Sequence, residues 1–188
     1  KANESVDKIS ATNILTWDEV ENLNTFLNRA GDNFFKKYFK VIKDCGTEDP
    51  STCFAERYTN IKNNASSGTP TCYYSVITAN GASLCLNRPA NSVNTGAFIV
   101  DVNGPKRPNI AGRDLFSFSY FYDGTLDDGV TPECKRGMMN SGGSLCFDWA
   151  TTPEGTRKAR FDSRCLSDAN YAIGCFGKIL NDNWKMDY

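Results

Sequence analysis

The sequence predicts an α+β domain in which a long N-terminal amphipathic helix packs on an antiparallel β-sheet with disulfide-bonded loops. Three observations predict this class. Apolar residues recur every three or four positions early in the chain, which is the period of a helix with one buried face. Alternation with a period of two begins at Thr71 and is typical of strands. The eight cysteines are even in number and the chain has no histidine, which favours disulfides.

The N-terminal helix is predicted over Trp17–Lys43, in a helical region 16–44 that follows a frayed polar segment 1–15. Thr16 and Glu19 fit a capping box, in which each side chain accepts a hydrogen bond from the backbone N–H of the other residue. Asp44-Cys45-Gly46 ends the helical pattern. The apolar stripe consists of Val20, Leu23, Leu27, Ala30, Phe34, Tyr38 and Ile42.

Strands dominate the region 71–188. Ala79-Asn80-Gly81-Ala82 is predicted to form the hairpin turn between the first two strands, because Asn-Gly tolerates positive φ. Short helices are predicted at Cys53–Asn60 and within Asn170–Leu180. The predicted strands are Cys72–Thr78, Ser83–Leu86, Ala97–Val102, Leu115–Tyr122 and Ser144–Trp149.

The cysteines favour disulfides over a metal, since no pair has the close spacing of a structural zinc site. Disulfides persist outside the cytosol, so the protein is expected to be exported. Eight cysteines allow about 105 connectivities, and the sequence does not fix one of them. The spacing suits local closure between consecutive cysteines, that is Cys45–Cys53, Cys72–Cys85, Cys134–Cys146 and Cys165–Cys175.

Composition bounds the size and the partners. The 188 residues predict one domain over 1–188, and 40% apolar residues suffice for a core. The net charge is -1 with no run of five like charges, so nucleic acid is not an expected partner. The absence of histidine excludes Ser-His and Cys-His triads, and no Gly-rich phosphate loop is present. We therefore expect no enzyme activity.

Two loops carry candidate site residues. The stretch Phe98–Phe118 places two strand-like runs around a turn-rich loop, in which Asp101, Asn103, Gly104 and Asp114 are predicted to hold the loop shape. The acidic turn beginning at Asp123 is the best metal candidate, since calcium takes clustered oxygen ligands on flexible loops. An ordinary polar turn is the simpler reading, so calcium is a tentative cofactor. The candidate ligands are Asp123, Asp127 and Asp128.

Two stretches of this sequence resemble bacterial type IV pilin-like proteins, including type II secretion pseudopilins. In many of these proteins a strand ends in Asp-x-Asn-Gly, a Gly/Pro-Asn turn follows, and Gly-x-Asp-x-Phe then opens the next strand. The matching elements here are Asp101-Val102-Asn103-Gly104, Arg107-Pro108-Asn109 and Gly112-Arg113-Asp114-Leu115-Phe116. The end of the chain is similar as well, at Cys175, Ile179, Leu180, Trp184, Lys185, Met186 and Tyr188.

The resemblance implies a non-catalytic structural subunit, a minor pilin or pseudopilin, of a type IV pilus or type II secretion filament. It implies a periplasmic or cell-surface location. Family members have an N-terminal hydrophobic helix, which would precede Lys1 here. That helix would bind other pilin or pseudopilin subunits and the inner membrane, and the soluble piece is expected to be a monomer. The alternative is an extracellular adhesion or ligand-binding domain unrelated to pilins.

Overall fold

The computed structural model describes residues 25, 27, 29–88, 96–120, 126–128, 152–167 and 172–188. The helical elements among these residues are short. They are a π-helical segment (Arg29–Phe35), α1 (Lys36–Tyr38), a 3-10 turn (Pro50–Thr52), α2 (Pro153–Arg160), a second π-helical segment (Phe161–Cys165) and α3 (Cys175–Asn181). The strands are β1 (Val41–Gly46), β2 (Arg57–Asn60), β3 (Ser66–Gly68), β4 (Tyr74–Thr78), β5 (Ser83–Arg88), β6 (Gly96–Asp101), β7 (Ile110–Ala111), β8 (Leu115–Tyr120) and β9 (Leu126–Asp127).

The nine strands form one mixed sheet in the order β1-β4-β5-β6-β8-β7-β2-β3, with β9 on β8. The long pairs are antiparallel, and β6 runs against β8 over its whole length, from Gly96 opposite Tyr120 to Asp101 opposite Leu115. The short strand β7 is parallel to both of its neighbours, β2 and β8. The two parallel pairings bring the segment before β2 beside the loop before β7.

The predicted fold class is wrong, because the sheet is mixed and the described helices have only three to eight residues. The predicted helix ends early. Phe39 is extended, with φ -125° and ψ 145°, and β1 begins at Val41 and pairs with β4. β-branched Val41 and Ile42 favour a strand, and Ile42 is 63% exposed rather than part of a buried stripe. Residues 1–24, which include the predicted frayed segment and capping box, lie outside the described residues.

The predicted short helix at Cys53–Asn60 is wrong as well. Arg57–Asn60 is a strand in which Tyr58 and Asn60 are buried on one side, the period-two pattern of a sheet. In contrast, the predicted strands at β4, β5, β6 and β8 are confirmed. The turn between β4 and β5 is confirmed too, since Gly81 has φ +89° and donates its N–H to Thr78 O. Ser144–Trp149 lies outside the described residues.

The first π-helical segment packs on one face of the sheet. Phe35 is fully buried and stacks on Tyr74 with ring centroids 5.7 Å apart, and Phe34 stacks on Phe98 at the same distance. A Cβ on Gly31 would lie 2.3 Å from Tyr74 Oη, so glycine is required for this close approach. Among the described helices, none combines the length and apolar character needed to cross a membrane.

A second hydrophobic cluster joins the loop before β2 to the C-terminal helices. Its fully buried members include Phe54, Tyr58 and Ile99. The described disulfides Cys45–Cys53, Cys72–Cys85 and Cys165–Cys175 all take part in this cluster, with Cys72 at its edge. They confirm three of the four predicted consecutive pairings. Cys134 and Cys146 lie outside the described residues.

Candidate functional site

The loop between β6 and β8 is closed by its own aspartates. Asp101 Oδ1 accepts from Asn103 N at 3.2 Å, and Asp114 Oδ2 accepts from Ile110 N at 2.9 Å. The backbone joins the two ends, since Val102 N donates to Asp114 O at 2.8 Å. The structure therefore places both aspartates where their carboxylates accept hydrogen bonds from the backbone of this loop.

Gly104 and Asn103 complete this loop. Gly104 has φ +66°, and a Cβ there would lie 2.6 Å from Gly81 O, so a side chain would collide with the β4–β5 turn. Asn103 contributes its backbone N–H, while its buried Oδ1 accepts no hydrogen bond among the described residues. Glycine thus sets the packing of this loop against the neighbouring hairpin.

Tyr58 is the central partner that the sequence did not indicate. Its hydroxyl donates to Asp101 Oδ2 at 2.5 Å and accepts from Ala55 N at 3.0 Å. Burial raises the pKa of Asp101 to about 6, against the hydrogen bonds from Tyr58 and Asn103 N, and the charge of Asp114 adds to the increase. Burial, with the hydrogen bond to Asp101, also raises the pKa of Tyr58. The hydrogen bond from Tyr58 to Asp101 therefore links the loop to β2.

A groove of about 800 Å³ lies beside this loop. One wall is the chain between Ser51 and Asn63, and the other is the segment from Pro105 to Ile110. The walls meet where Thr59 N donates to Asn109 O at 3.1 Å. The volume lies in the range of ligand-binding clefts. The same aspartates that close the loop therefore shape a concave surface.

The lining of the groove combines apolar and charged side chains. Its apolar part includes Phe54, Ile61 and Ile110, and its charged part consists of Glu56, Arg57 and Arg107. Arg57 Nη2 donates to Ser66 Oγ at 3.2 Å. Within the described ranges, neither arginine has an ion pair, and Glu56 has none either. The groove is therefore a polar-rimmed surface with unneutralised charges.

The predicted calcium ligands Asp127 and Asp128 have different hydrogen-bond partners in the structure. Asp127 accepts two close hydrogen bonds from Arg157, from Nη2 at 2.5 Å and from Nε at 2.9 Å. Asp128 is buried and accepts from the backbone N–H groups of Gly174 at 3.0 Å and Gly177 at 2.9 Å. Asp123 lies outside the described residues. The part of the chain that the structure describes contains no group of three His, Cys, Asp or Glu residues able to hold a metal, and the calcium site stays a prediction.

Burial also affects the pKa of the aspartate that follows β9. It raises the pKa of Asp128, although Arg160, whose Nη2 lies 3.6 Å from Asp128 Oδ1, opposes the increase. The hydrogen bonds that Arg157 donates to Asp127 raise the pKa of Arg157. The two aspartates thus join β9 to α2 and α3. Their oxygens are engaged by arginines and backbone amides.

No protein-family model, curated protein or solved structure matches this chain.

Proposed function

We propose that this chain is a non-catalytic structural subunit, a minor pilin or pseudopilin, of a type IV pilus or type II secretion filament. The observation that carries the proposal is that the two stretches resembling pilin-like proteins lie against each other. Tyr188 Oη donates to Gly112 O at 2.9 Å, across 76 positions of sequence. Gly112 belongs to the Gly-x-Asp-x-Phe element, and Tyr188 ends the Trp-Lys-Met-x-Tyr element.

The contact between the two elements extends into the core. A Cβ on Gly112 would lie 2.8 Å from Cys175 Sγ and 2.9 Å from Cys165 Sγ, so glycine lets the disulfide approach the backbone. The ring of Tyr188 packs edge-on against Phe161 with centroids 5.0 Å apart. The two elements that resemble pilin-like proteins therefore meet beside the Cys165–Cys175 disulfide.

The described acidic residues support a structural role. Asp101 and Asp114 close a loop, while Asp127 and Asp128 join β9 to the C-terminal helices. The three disulfides among the described residues indicate an oxidising compartment, as expected of the periplasm or the cell surface. A subunit exposed there is stabilised by cross-links that constrain its unfolded state.

The gene upstream of Lys1 provides the test. The proposal predicts a prepilin-type cleavage motif followed by about 20 apolar residues, the length of a membrane-spanning helix. Antibodies against the chain are then expected to label the membrane fraction and sheared surface filaments of the host. An ordinary secretory signal peptide directly before Lys1, with the protein released free into the medium, would contradict the proposal and favour the extracellular ligand-binding alternative.

A further inference from the structure

The geometry points to the groove between residues 51–63 and 105–110 as a binding site for an extended acidic peptide segment of another protein, with carboxylates held by Arg57 and Arg107. This inference is independent of the filament proposal. A pilus subunit, a secretion subunit or a free extracellular domain would all present the same groove.

Basic side chains outnumber acidic ones around the groove, where Glu56 is the one acidic residue of the lining. Arg57 and Arg107 line it, and Lys62 and Lys106 are exposed chain neighbours of lining residues. None of the four has a carboxylate partner among the residues that the structure describes. Outside the groove some basic side chains are paired, as in Lys36–Asp32, Arg157–Asp127, Lys158–Asp162 and Lys178–Asp182, while others such as Lys40 and Arg164 have no ion pair among the described residues. The groove therefore attracts a negatively charged partner.

The apolar lining selects a peptide over a uniformly charged polyanion. Ile61 and Ile110, which are partly exposed, and the exposed rings of Pro105 and Pro108 give the lining accessible apolar surface. Such surface gains free energy by covering apolar side chains, which polysulfates and inorganic phosphate lack. Glu56 at the same groove repels a continuous run of negative charge. A segment that alternates acidic and apolar side chains satisfies both parts of the lining.

The wall also contains an acceptor that lacks a donor. Asn109 Oδ1 is buried and accepts no hydrogen bond among the described residues, and Asn109 has φ +55°. A buried acceptor without a donor costs about 1–3 kcal/mol, and such strained polar positions concentrate at binding sites.

The groove is held open before any ligand arrives. Cys45–Cys53 fixes the chain just before Phe54, and Asp114 holds Ile110 N at 2.9 Å in the opposite wall. Binding therefore does not require the ordering of these two walls, which is a cost that flexible sites must meet. An extended segment can enter from solvent because Arg57 and Arg107 are both exposed.

Titration with two matched peptides tests the site. The probe is acetyl-Asp-Leu-Asp-Val-Glu-amide, and its control is the uncharged acetyl-Asn-Leu-Asn-Val-Gln-amide. We expect the acidic probe to shift the amide resonances of Ile61, Asn63 and Ile110 in ¹H–¹⁵N spectra of the whole chain. The uncharged control should bind at least about tenfold more weakly, because hydrogen bonds to charged groups are worth about 1.5–3 kcal/mol.

Three variants locate the interaction. Arg57→Gln and Arg107→Gln should each weaken binding of the acidic probe by about tenfold. Lys40→Gln, which removes an exposed charge outside the groove, should leave binding unchanged. Because all three positions are exposed, the variants should keep the wild-type melting temperature.

Several results would overturn the assignment. They are equal affinity for the charged and uncharged peptides, resonance shifts confined to another surface, or no shifts at millimolar peptide. Tighter binding of heparin or inorganic phosphate than of the acidic peptide, with the same dependence on Arg57 and Arg107, would replace the peptide site with a general anion site.

Discussion

Asp101 and Asp127 are both buried at the end of a strand, yet Asp101 is held by a phenol and a backbone amide whereas Asp127 is held by a guanidinium. At Asp101 no cation takes part among the described residues, and the nearby charged group is another carboxylate, Asp114. At Asp127 the arginine donates two close hydrogen bonds and supplies the opposite charge.

The difference between these two sites determines what each is sensitive to. Neutral donors do not fully compensate the desolvation of a carboxylate, so the pKa of Asp101 rises to about 6 and the site responds to pH. A guanidinium compensates the charge, so the Asp127 site is sensitive to loss of its partner instead. Four substitutions, taken from the largest expected effect to the smallest, test this contrast.

Removal of the guanidinium should have the largest effect. Arg157→Ala leaves Asp127, which is 1% exposed, without its cation, and we expect a loss of about 3–5 kcal/mol in the free energy of unfolding. Urea denaturation at pH 7 measures it. Arg164→Ala, an exposed arginine of the same helical stretch without an ion pair in the described part of the chain, should change stability by less than about 0.5 kcal/mol. A comparable loss in both variants would show that the buried ion pair contributes no more to the free energy of unfolding than an exposed arginine does.

Removal of the phenol hydroxyl should have the next largest effect. Tyr58→Phe leaves Asp101 Oδ2 and Ala55 N without their partner, and we expect a loss of about 2–3 kcal/mol at pH 8. The loss should be smaller at pH 5, where a larger fraction of Asp101 is protonated. Thermal and urea unfolding at both pH values measure it, with the part-exposed Tyr73→Phe as control. Equal losses at both pH values would contradict the assignment of the charge to Asp101.

The pH response itself is tested with Asp101→Asn. The folded-state pKa of Asp101, about 6, lies above its ordinary value of 3.8, so folding favours the protonated carboxyl. The stability it contributes is complete below about pH 4 and is lost as the pH rises through 6. One pKa unit is worth about 1.4 kcal/mol at most, so we expect Asp101→Asn to be more stable than the wild type by about 1–2 kcal/mol at pH 8. Parallel stability curves of the two proteins between pH 4 and pH 8 would refute this.

The smallest effect is expected at an exposed ion pair. Lys158 Nζ lies 2.5 Å from Asp162 Oδ2, but both side chains are more than half exposed. Lys158→Ala should cost about 0.3–0.5 kcal/mol and less at high salt, which screens exposed charges. Urea denaturation at low and high ionic strength measures it. A loss above about 1 kcal/mol would remove the distinction between buried and exposed pairs.

Local patterns made part of this fold predictable. The hairpin from β4 to β5 follows from period-two alternation around Asn80-Gly81, and its cysteines close over a short separation. The end of the N-terminal helical segment was not predictable in this way. Ile42 continues the helical spacing of Phe34 and Tyr38, yet the strand that contains it pairs with residues distant in the sequence, such as Thr78 opposite Val41. Tertiary pairing overrode the local period.

In the candidate site, too, local contacts are predictable from the sequence and long-range contacts are not. Asp101 and Asp114 act within their own loop, so the turn residues around them indicated a loop-holding role. The hydrogen bond from Tyr58 to Asp101 spans 43 positions, and no local pattern indicates it. The groove arises only when the parallel pairings of β7 place the segment 105–110 beside 51–63. The sequence alone does not show that Arg57 and Arg107 line the same groove.

The three described disulfides join cysteines only 8, 13 and 10 positions apart, and none of their loops interlaces with another. When a chain with these spacings is threaded across a membrane from its N-terminus, the first cysteine of each pair is followed by its own partner 8 to 13 residues later. An oxidase on the far side therefore meets the native pair first at each of the three. Order of emergence therefore favours these three native bridges over pairings between more distant cysteines.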